Sequence, residues 1–230
     1  MEVYYDGINV QKWLKNPRVT GFTTNCSIMA ASKYKSYKEF YDSFDFGNKP
    51  ISFQIWMEDV EGAKKQIEDI HSIGPNVFVK IPIVNSKGES NSELISYASS
   101  KGYAINITAI YTKEQIIEAS FLLQCHTAPA IISVFFGSIS DILTVDPIDF
   151  LHIYDIYFGR SMKENYKILW AGCRELATVK KARDVGIDII TVPDGVIDKF
   201  DIQDKTLLEL SIERALKFRT DALAGKLSIL

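Results

Sequence analysis

The chain has 230 residues, 47% apolar, 12% aromatic and 24% charged, and its 13 Gly and 7 Pro are too few for a collagen-like or low-complexity protein. Its 26 basic and 29 acidic residues leave a net charge of −3, which gives no chain-wide basic footprint for nucleic acid or an anionic membrane. Three cysteines, Cys26, Cys125 and Cys173, odd in number and without a C-x-x-C spacing, argue against a disulfide framework or a zinc cluster and for reduced thiols.

In chain order, short β-rich runs alternate with helical or loop text, the arrangement of a parallel α/β fold. The runs cover residues 2–6, 19–25, 50–56, 76–83, 102–110, 130–137, 167–172 and 188–193. No basic stretch or long apolar run precedes the first, as a signal peptide requires, and no run reaches the roughly 18 apolar residues of a membrane span, so the expected location is cytoplasmic. Between the third and fourth runs, Asp59 caps a predicted helix whose stripe is Val60, Ala63, Ile67 and Ile70. Residues 90–98 are the next helix, and Thr112-Lys-Glu-Gln115 reads as a capping box ahead of Ile116, Ile117, Ala119 and Phe121. Residues 149–158 and 176–185 continue the series, with Gly74, Gly102 and Gly186 as helix stops, and 206–224 forms a further amphipathic helix. About 29 residues per unit suits a single-domain (β/α)8 TIM barrel spanning 1–230, with an extra C-terminal helix. Periodicity leaves an eight-strand doubly wound sheet open as well, and both architectures put ligands at the carboxyl ends of the strands.

Side chains two apart on a strand share a face, and that parity groups the polar residues at those ends. Asp6 ends the first run, Asn25 the second and Gln54 the third; Asn106 pairs with Thr108, and Ser133 with Phe135. Lys80 lies inside Val77-Phe-Val-Lys-Ile-Pro-Ile83, flanked by β-branched and aromatic residues. Desolvation there would lower its pKa from about 10.4 and leave a nucleophilic amine able to form a Schiff base with a ketone. The bland alternative is an edge-strand lysine, or one paired with Asp6 across a barrel. A buried amine, one carboxylate and several neutral hydrogen-bonding groups suit carbonyl chemistry through an imine. His71, His126 and His152 lack ligand spacing and read as surface or packing residues, so no metal is expected; nor is there a G-x-G-x-x-G or P-loop. Trp56 and Trp170 near strand ends either stack on a ligand or fill the core.

Six motifs in order and spacing resemble the transaldolase family, especially its short subfamily that includes fructose-6-phosphate aldolase. Tyr5-Asp6 resembles the family's first-strand aspartate, Thr23-Thr24-Asn25-Cys-Ser27-Ile its T-T-N-P-S-[IL], and Val79-Lys80-Ile81-Pro82 its Schiff-base K-[IV]-P. Asn106-Ile-Thr108 resembles N-[LV]-T, Ile132-Ser133-Val-Phe135-Phe-Gly137 resembles I-S-P-F-V-G-R, and Ala171-Gly-Cys-Arg174 resembles A-S-F-[RK]. The resemblance implies Lys80 as the imine lysine, Asp6 as the acid/base, Gln54 and Thr108 as the groups positioning a relay water, and Thr24, Asn25, Asn106, Ser133, Phe135 and Arg174 as substrate-binding residues. It implies a cofactor-independent enzyme of carbohydrate metabolism, of the pentose phosphate type, that moves a dihydroxyacetone unit from a ketose or ketose phosphate to an aldehyde. Gln54 resembles the aldolase-like members, Phe135 the transaldolases; a Phe cannot protonate the carbanion, which favours transfer over cleavage. Ser138 and Gly172 depart from the family's phosphate-binding Arg and Ser, which predicts a weakened phosphate site and admits an unphosphorylated substrate. The changes at Cys26 and Cys173 alter the barrel mouth, both reading as packing residues. The alternatives are a fructose-6-phosphate aldolase-type lyase, and a barrel that only binds a sugar or protein. Expected partners are small sugars or sugar phosphates, neither nucleic acid nor membrane. Short members of the family form rings of five, often paired, so a homo-oligomer, pentamer or decamer, is expected through Leu207, Leu208, Leu210, Ile212, Leu216 and Phe218.

Overall fold

The computed structural model describes residues 1–142, 146–159, 165–200 and 205–228. Eight strands, β1 (Glu2–Asp6), β2 (Gly21–Thr23), β3 (Ile51–Gln54), β4 (Val77–Pro82), β5 (Ile105–Ile110), β6 (Ala130–Val134), β7 (Tyr166–Trp170) and β8 (Ile189–Val192), form one closed barrel in chain order. All neighbours are parallel, and β8 returns to β1 by pairing Val3 with Ile190 and Tyr4 with Thr191. That last pairing decides for the barrel against the doubly wound sheet. Each anticipated run overlaps a strand, and most strands are shorter than their runs; β7 begins at Tyr166, one residue before its run. The sixth run stops at Val134 because the chain turns into α7 (Phe136–Ile142). At that turn a Cβ on Gly137 would sit 1.9 Å from the Gly172 carbonyl oxygen, so the loops after β6 and β7 meet backbone to backbone.

The longer helices follow their sequence signals. In α4 (Val60–His71) the Asp59 carboxylate accepts from Gly62 N at 2.7 Å, and Ala63, Ile67 and Ile70 are buried; Val60, in the first turn, stays exposed. In α6 (Lys113–Leu122) both halves of the Thr112–Gln115 capping box are present, Ile116 and Ala119 are buried, and Phe121 lies outside on Tyr157. Helices α5 (Ser92–Ser100), α8 (Pro147–Phe158) and α9 (Leu176–Asp184) complete the outer layer. Gly102 and Gly186 follow α5 and α9 with φ of +69° and +87°, the left-handed conformation that ends a helix. Short helices α1 (Val10–Trp13), α2 (Cys26–Ala30), α3 (Tyr37–Asp42) and α10 (Asp194–Ile197) carry too few turns for an apolar stripe to register in the sequence.

Parity puts Tyr4, Ile131, Leu169 and Ile189 inside the barrel towards its amino end, where they form one buried cluster with Phe78 packed against it. The positions above them are polar. On the outside of the β8–β1 seam, Asp194 accepts hydrogen bonds from Tyr5 Oη at 2.8 Å, Asn9 Nδ2 at 2.9 Å and Trp13 Nε1 at 2.6 Å. Burial alone would raise the Asp194 carboxyl, but these donors outweigh it and hold the pKa below the ordinary carboxylate value.

The described residues form two compact units, Met1–Val196 and Ile197–Leu230. The barrel lies in the first. The second holds α11 (Leu207–Ala224), whose Thr206–Glu209 capping box is complete and which has no buried residue.

Candidate active site

Strand register brings three of the anticipated polar residues side by side, since Gln54 is the Cα partner of Lys80 and Lys80 that of Asn106. Lys80 is 7% exposed, and its Nζ donates to the Thr24 carbonyl at 2.9 Å. It does not use Asp6 as an ion-pair partner; Asp6 and Cys26 act on it only through their fields. Burial pushes the Lys80 ammonium below the usual lysine pKa, and those two neighbours oppose the shift without cancelling it. The strand thus holds an amine whose neutral, nucleophilic form is accessible at lower pH than that of a surface lysine.

The groups around it form two hydrogen-bonded sets. In one, Asp6 Oδ1 accepts from Thr23 Oγ1 at 2.8 Å, and Thr23 is 2.6 Å from Thr191 Oγ1. In the other, Ser133 Oγ donates to Asn106 Oδ1 at 2.7 Å and Asn106 Nδ2 donates to Ser52 Oγ at 3.0 Å, all three residues being buried. Thr108 stands apart. Its Oγ1 is buried with no hydrogen-bond partner, and the next residue, Ala109, has φ of +59° where β5 slips register against β6. A left-handed alanine costs roughly 1–2 kcal/mol, and the bulge it makes leaves Thr108 with an unused hydroxyl near the lysine strand. An unpartnered buried hydroxyl at a cluster of this kind is a ready acceptor or donor for a bound water or ligand.

The remaining anticipated residues lie differently. Thr24 enters through its carbonyl, its hydroxyl being turned to Ser52 O at 2.9 Å. Asn25 Oδ1 caps α2 by accepting from Ile28 N at 2.9 Å. Phe135, half-buried, stacks on Tyr111 with ring centroids 5.3 Å apart and packs on the interior cluster. Arg174 is not free at the mouth: its guanidinium is ion-paired with Asp141, and both side chains are largely exposed. Trp170 is buried against Phe136 and fills core, whereas Trp56 is 60% exposed and edges onto Tyr37. Trp56, Tyr37 and Cys26 line a groove of about 640 Å³ between α2, α3 and α4, outside the Lys80 cluster. Cys173 is buried, its thiol pushed up to about 11 by desolvation, which fits a packing residue. His71 and His152 are exposed and His126 is buried. Among the described residues no cluster of His, Cys, Asp and Glu could hold a metal ion, and no helix is long and apolar enough to cross a membrane.

Three site neighbours escaped the sequence reading: Ser52, Thr23 and Thr191. Parity from Gln54 and Asn25 points at the first two. Nothing local marks Thr191, which lies 168 positions from its partner.

Residues 3–228 match the family model described as transaldolase/fructose-6-phosphate aldolase. The chain belongs to that family. Similar relatives include a "probable transaldolase" of Sulfurihydrogenibium sp. (strain YO3AOP1), 28% identical over 206 residues with 86% of this chain and 85% of that protein covered. Another protein so named, from Methanococcus vannielii, is 24% identical and covers 94% of this chain and 96% of its own. Among solved structures, a 3-hexulose-6-phosphate synthase superposes with a TM-score of 0.58 at 10% identity, over 84% of this chain and 90% of that one. A flavocytochrome b2 variant superposes with a TM-score of 0.55 at 11% identity, over 84% of this chain and 56% of that one. These structural likenesses concern the barrel alone.

Proposed function

We propose that this family member is a class I transaldolase-like enzyme, forming a Schiff base at Lys80 and transferring a dihydroxyacetone unit from a ketose or ketose phosphate to an aldehyde. The observation that carries the reading is the buried Lys80 amine, with its pKa lowered by desolvation, set among Asp6, Gln54, Asn106 and Thr108. The neutral amine adds to the ketose carbonyl, and uptake of one proton from solvent with loss of water gives the protonated imine. Gln54 and the unpartnered Thr108 hydroxyl hold the water through which those protons move. Asp6 then takes the proton from the hydroxyl next to the breaking bond; the carbon–carbon electron pair moves to the imine, leaving an enamine on Lys80 and a free aldehyde. Attack of the enamine carbon on a second aldehyde, with the proton returned from Asp6, reverses these steps, and hydrolysis regenerates the amine. Asn25, Asn106, Ser133 and the backbone carbonyl of Thr24 supply hydrogen bonds for the ketose hydroxyls and the lysine.

Phe135 favours transfer, because a phenyl ring beside the enamine offers no proton to quench it. The second reading, a lyase of the fructose-6-phosphate aldolase type, is favoured by the neutral Gln54 next to Lys80. Phosphate would be held weakly: Arg174 is occupied by Asp141, and Ser138 and Gly172 bring no charge. The reading extends over 1–230 as one domain, a span supported by the family match over 3–228. It includes a cytoplasmic location and association of copies through α11, whose Leu207, Leu208, Ile212, Leu216 and Phe218 are all exposed; light scattering tests the latter.

The deciding experiment is borohydride trapping with phosphorylated and free ketoses, read by intact and peptide mass. A three-carbon adduct on Lys80 is the expected result. A well-folded protein that yields no adduct with any ketose would turn the reading to the binding barrel.

A further inference from the structure

Inside the barrel, a chain of hydroxyls runs from β8 to Asp6. Thr191 and Thr23 are 6% and 2% exposed, and their oxygens are 2.6 Å apart; Thr23 is 2.8 Å from Asp6 Oδ1. Chemistry fixes the direction of both bonds. An ionised carboxylate only accepts, so the single proton of Thr23 goes to Asp6. Thr23 then has no proton left for Thr191, and Thr191 must be the donor in the shorter contact.

We propose that Thr191 is a positioning residue for Asp6: by donating to Thr23 it holds the Thr23 hydroxyl in place against Oδ1, and so presents Oδ2 to the substrate hydroxyl. Among the described residues Oδ2 accepts no hydrogen bond, which leaves it as the oxygen able to take a proton. After it does so, Oδ1 of the neutral acid still accepts from Thr23. The chain of donors is therefore oriented the same way before and after the transfer, and nothing around Asp6 has to reorient during it. The backbone of the same seam is anchored independently from outside by the Asp194 hydrogen bonds with Tyr5, Asn9 and Trp13. Loss of the Thr191 hydroxyl should thus disturb the carboxylate and leave β1 in place.

The inference rests on the proposed role of Asp6 as the proton acceptor, and the test separates the two. Wild type, Asp6→Asn, Thr191→Val and Thr191→Ser are compared by borohydride trapping at Lys80, by the KM for ketose, by the rate of carbon–carbon cleavage, and by thermal unfolding. Thr191→Val keeps the shape and removes the hydroxyl; Thr191→Ser keeps the hydroxyl. Thr191→Ala replaces the valine variant if the latter unfolds. The expected result is that Thr191→Val forms the imine at the wild-type rate with KM within about twofold, loses roughly tenfold or more in cleavage, and is rescued by serine. Wild-type cleavage in Thr191→Val, equal impairment of valine and serine variants, or parallel loss of imine formation and cleavage would each overturn the role of Thr191. Undiminished cleavage in Asp6→Asn would instead remove the reading of Asp6 on which it stands.

Discussion

Buried polar atoms without partners occur at opposite ends of the barrel, and their surroundings differ. At the carboxyl end Thr108 Oγ1 sits just before a strained alanine on the strand next to the Lys80 strand, amid hydroxyls, an amide and a carboxylate. Below the amino end, in the turn before β6, both ring nitrogens of His126 are buried and unpartnered, with Tyr166 stacked at 6.1 Å between centroids. Each exposes the fold to the penalty of an unsatisfied buried polar group, of the order of 1–3 kcal/mol. The first stands among side chains that can bind or move a proton, whereas the second has only the backbone carbonyls of Ser99 and Pro129 near it. An orphaned atom becomes evidence for a site when its neighbours supply complementary chemistry, and otherwise it is a defect in packing.

The largest effect should come from removing the centre of the polar end. Lys80→Met should abolish ketose trapping and lower turnover by at least about a thousandfold, measured by intact mass and by coupled assay. In the intact enzyme the rate of imine formation should level off at a pH below the ordinary lysine value of 10.5, because burial depresses the Lys80 pKa and the neutral amine predominates above the depressed value. A profile still rising at that value would show that Lys80 behaves as a surface lysine.

A smaller change should follow at the edge of the same cluster. Phe135→Tyr adds a phenol where the enamine waits, and the ratio of free dihydroxyacetone released to aldehyde-acceptor product formed should rise roughly tenfold, read by chromatography of the products. An unchanged ratio would mean that Phe135 does not face the enamine.

Further out, Arg174 and Asp141 are both largely exposed, and the pair competes with any anionic ligand for the guanidinium. Asp141→Asn should lower KM for a phosphorylated ketose by roughly three- to tenfold, leave the unphosphorylated ketose unaffected, and lose its effect at high salt. Equal KM for the phosphorylated donor in both proteins would place Arg174 outside the substrate's reach.

The polar end was legible in the sequence where a single strand carries the signal. Lys80, Asp6, Gln54, Asn106 and Ser133 are each flagged by their own flanks and by alternation along one strand; Asp6 and Gln54 end theirs, Ser133 lies one residue short of the end, and Lys80 and Asn106 lie inside theirs. The capping pair Thr112–Gln115 was equally local and equally visible. What escaped depends on residues far apart in the chain. Closure of the barrel requires β8 to find β1, the Thr191–Thr23 contact spans 168 positions, and the Asp141 that occupies Arg174 lies on a different connection. The unpaired state of Thr108 follows from a left-handed Ala109, a conformation that the residue type itself argues against.

His126 carries the smallest expected effect. Desolvation pushes the His126 pKa below its ordinary value of 6.5, while the nearby carbonyls of Ser99 and Pro129 pull the other way without cancelling the shift. A histidine with a depressed folded-state pKa binds its proton more readily in the unfolded chain. Its stabilising contribution is therefore whole above about pH 6.5 and drains as the pH falls from there towards the folded-state value. His126→Phe removes the titration and keeps a ring against Tyr166, so between pH 7 and 5 its melting temperature should fall by a few degrees less than that of wild type. Catalytic turnover at pH 7 should not change, since the turn before β6 is at the end of the barrel opposite Lys80. Parallel melting curves across that pH range would mean that water satisfies the imidazole after all, and a loss of turnover would mean that the amino end is not merely packing.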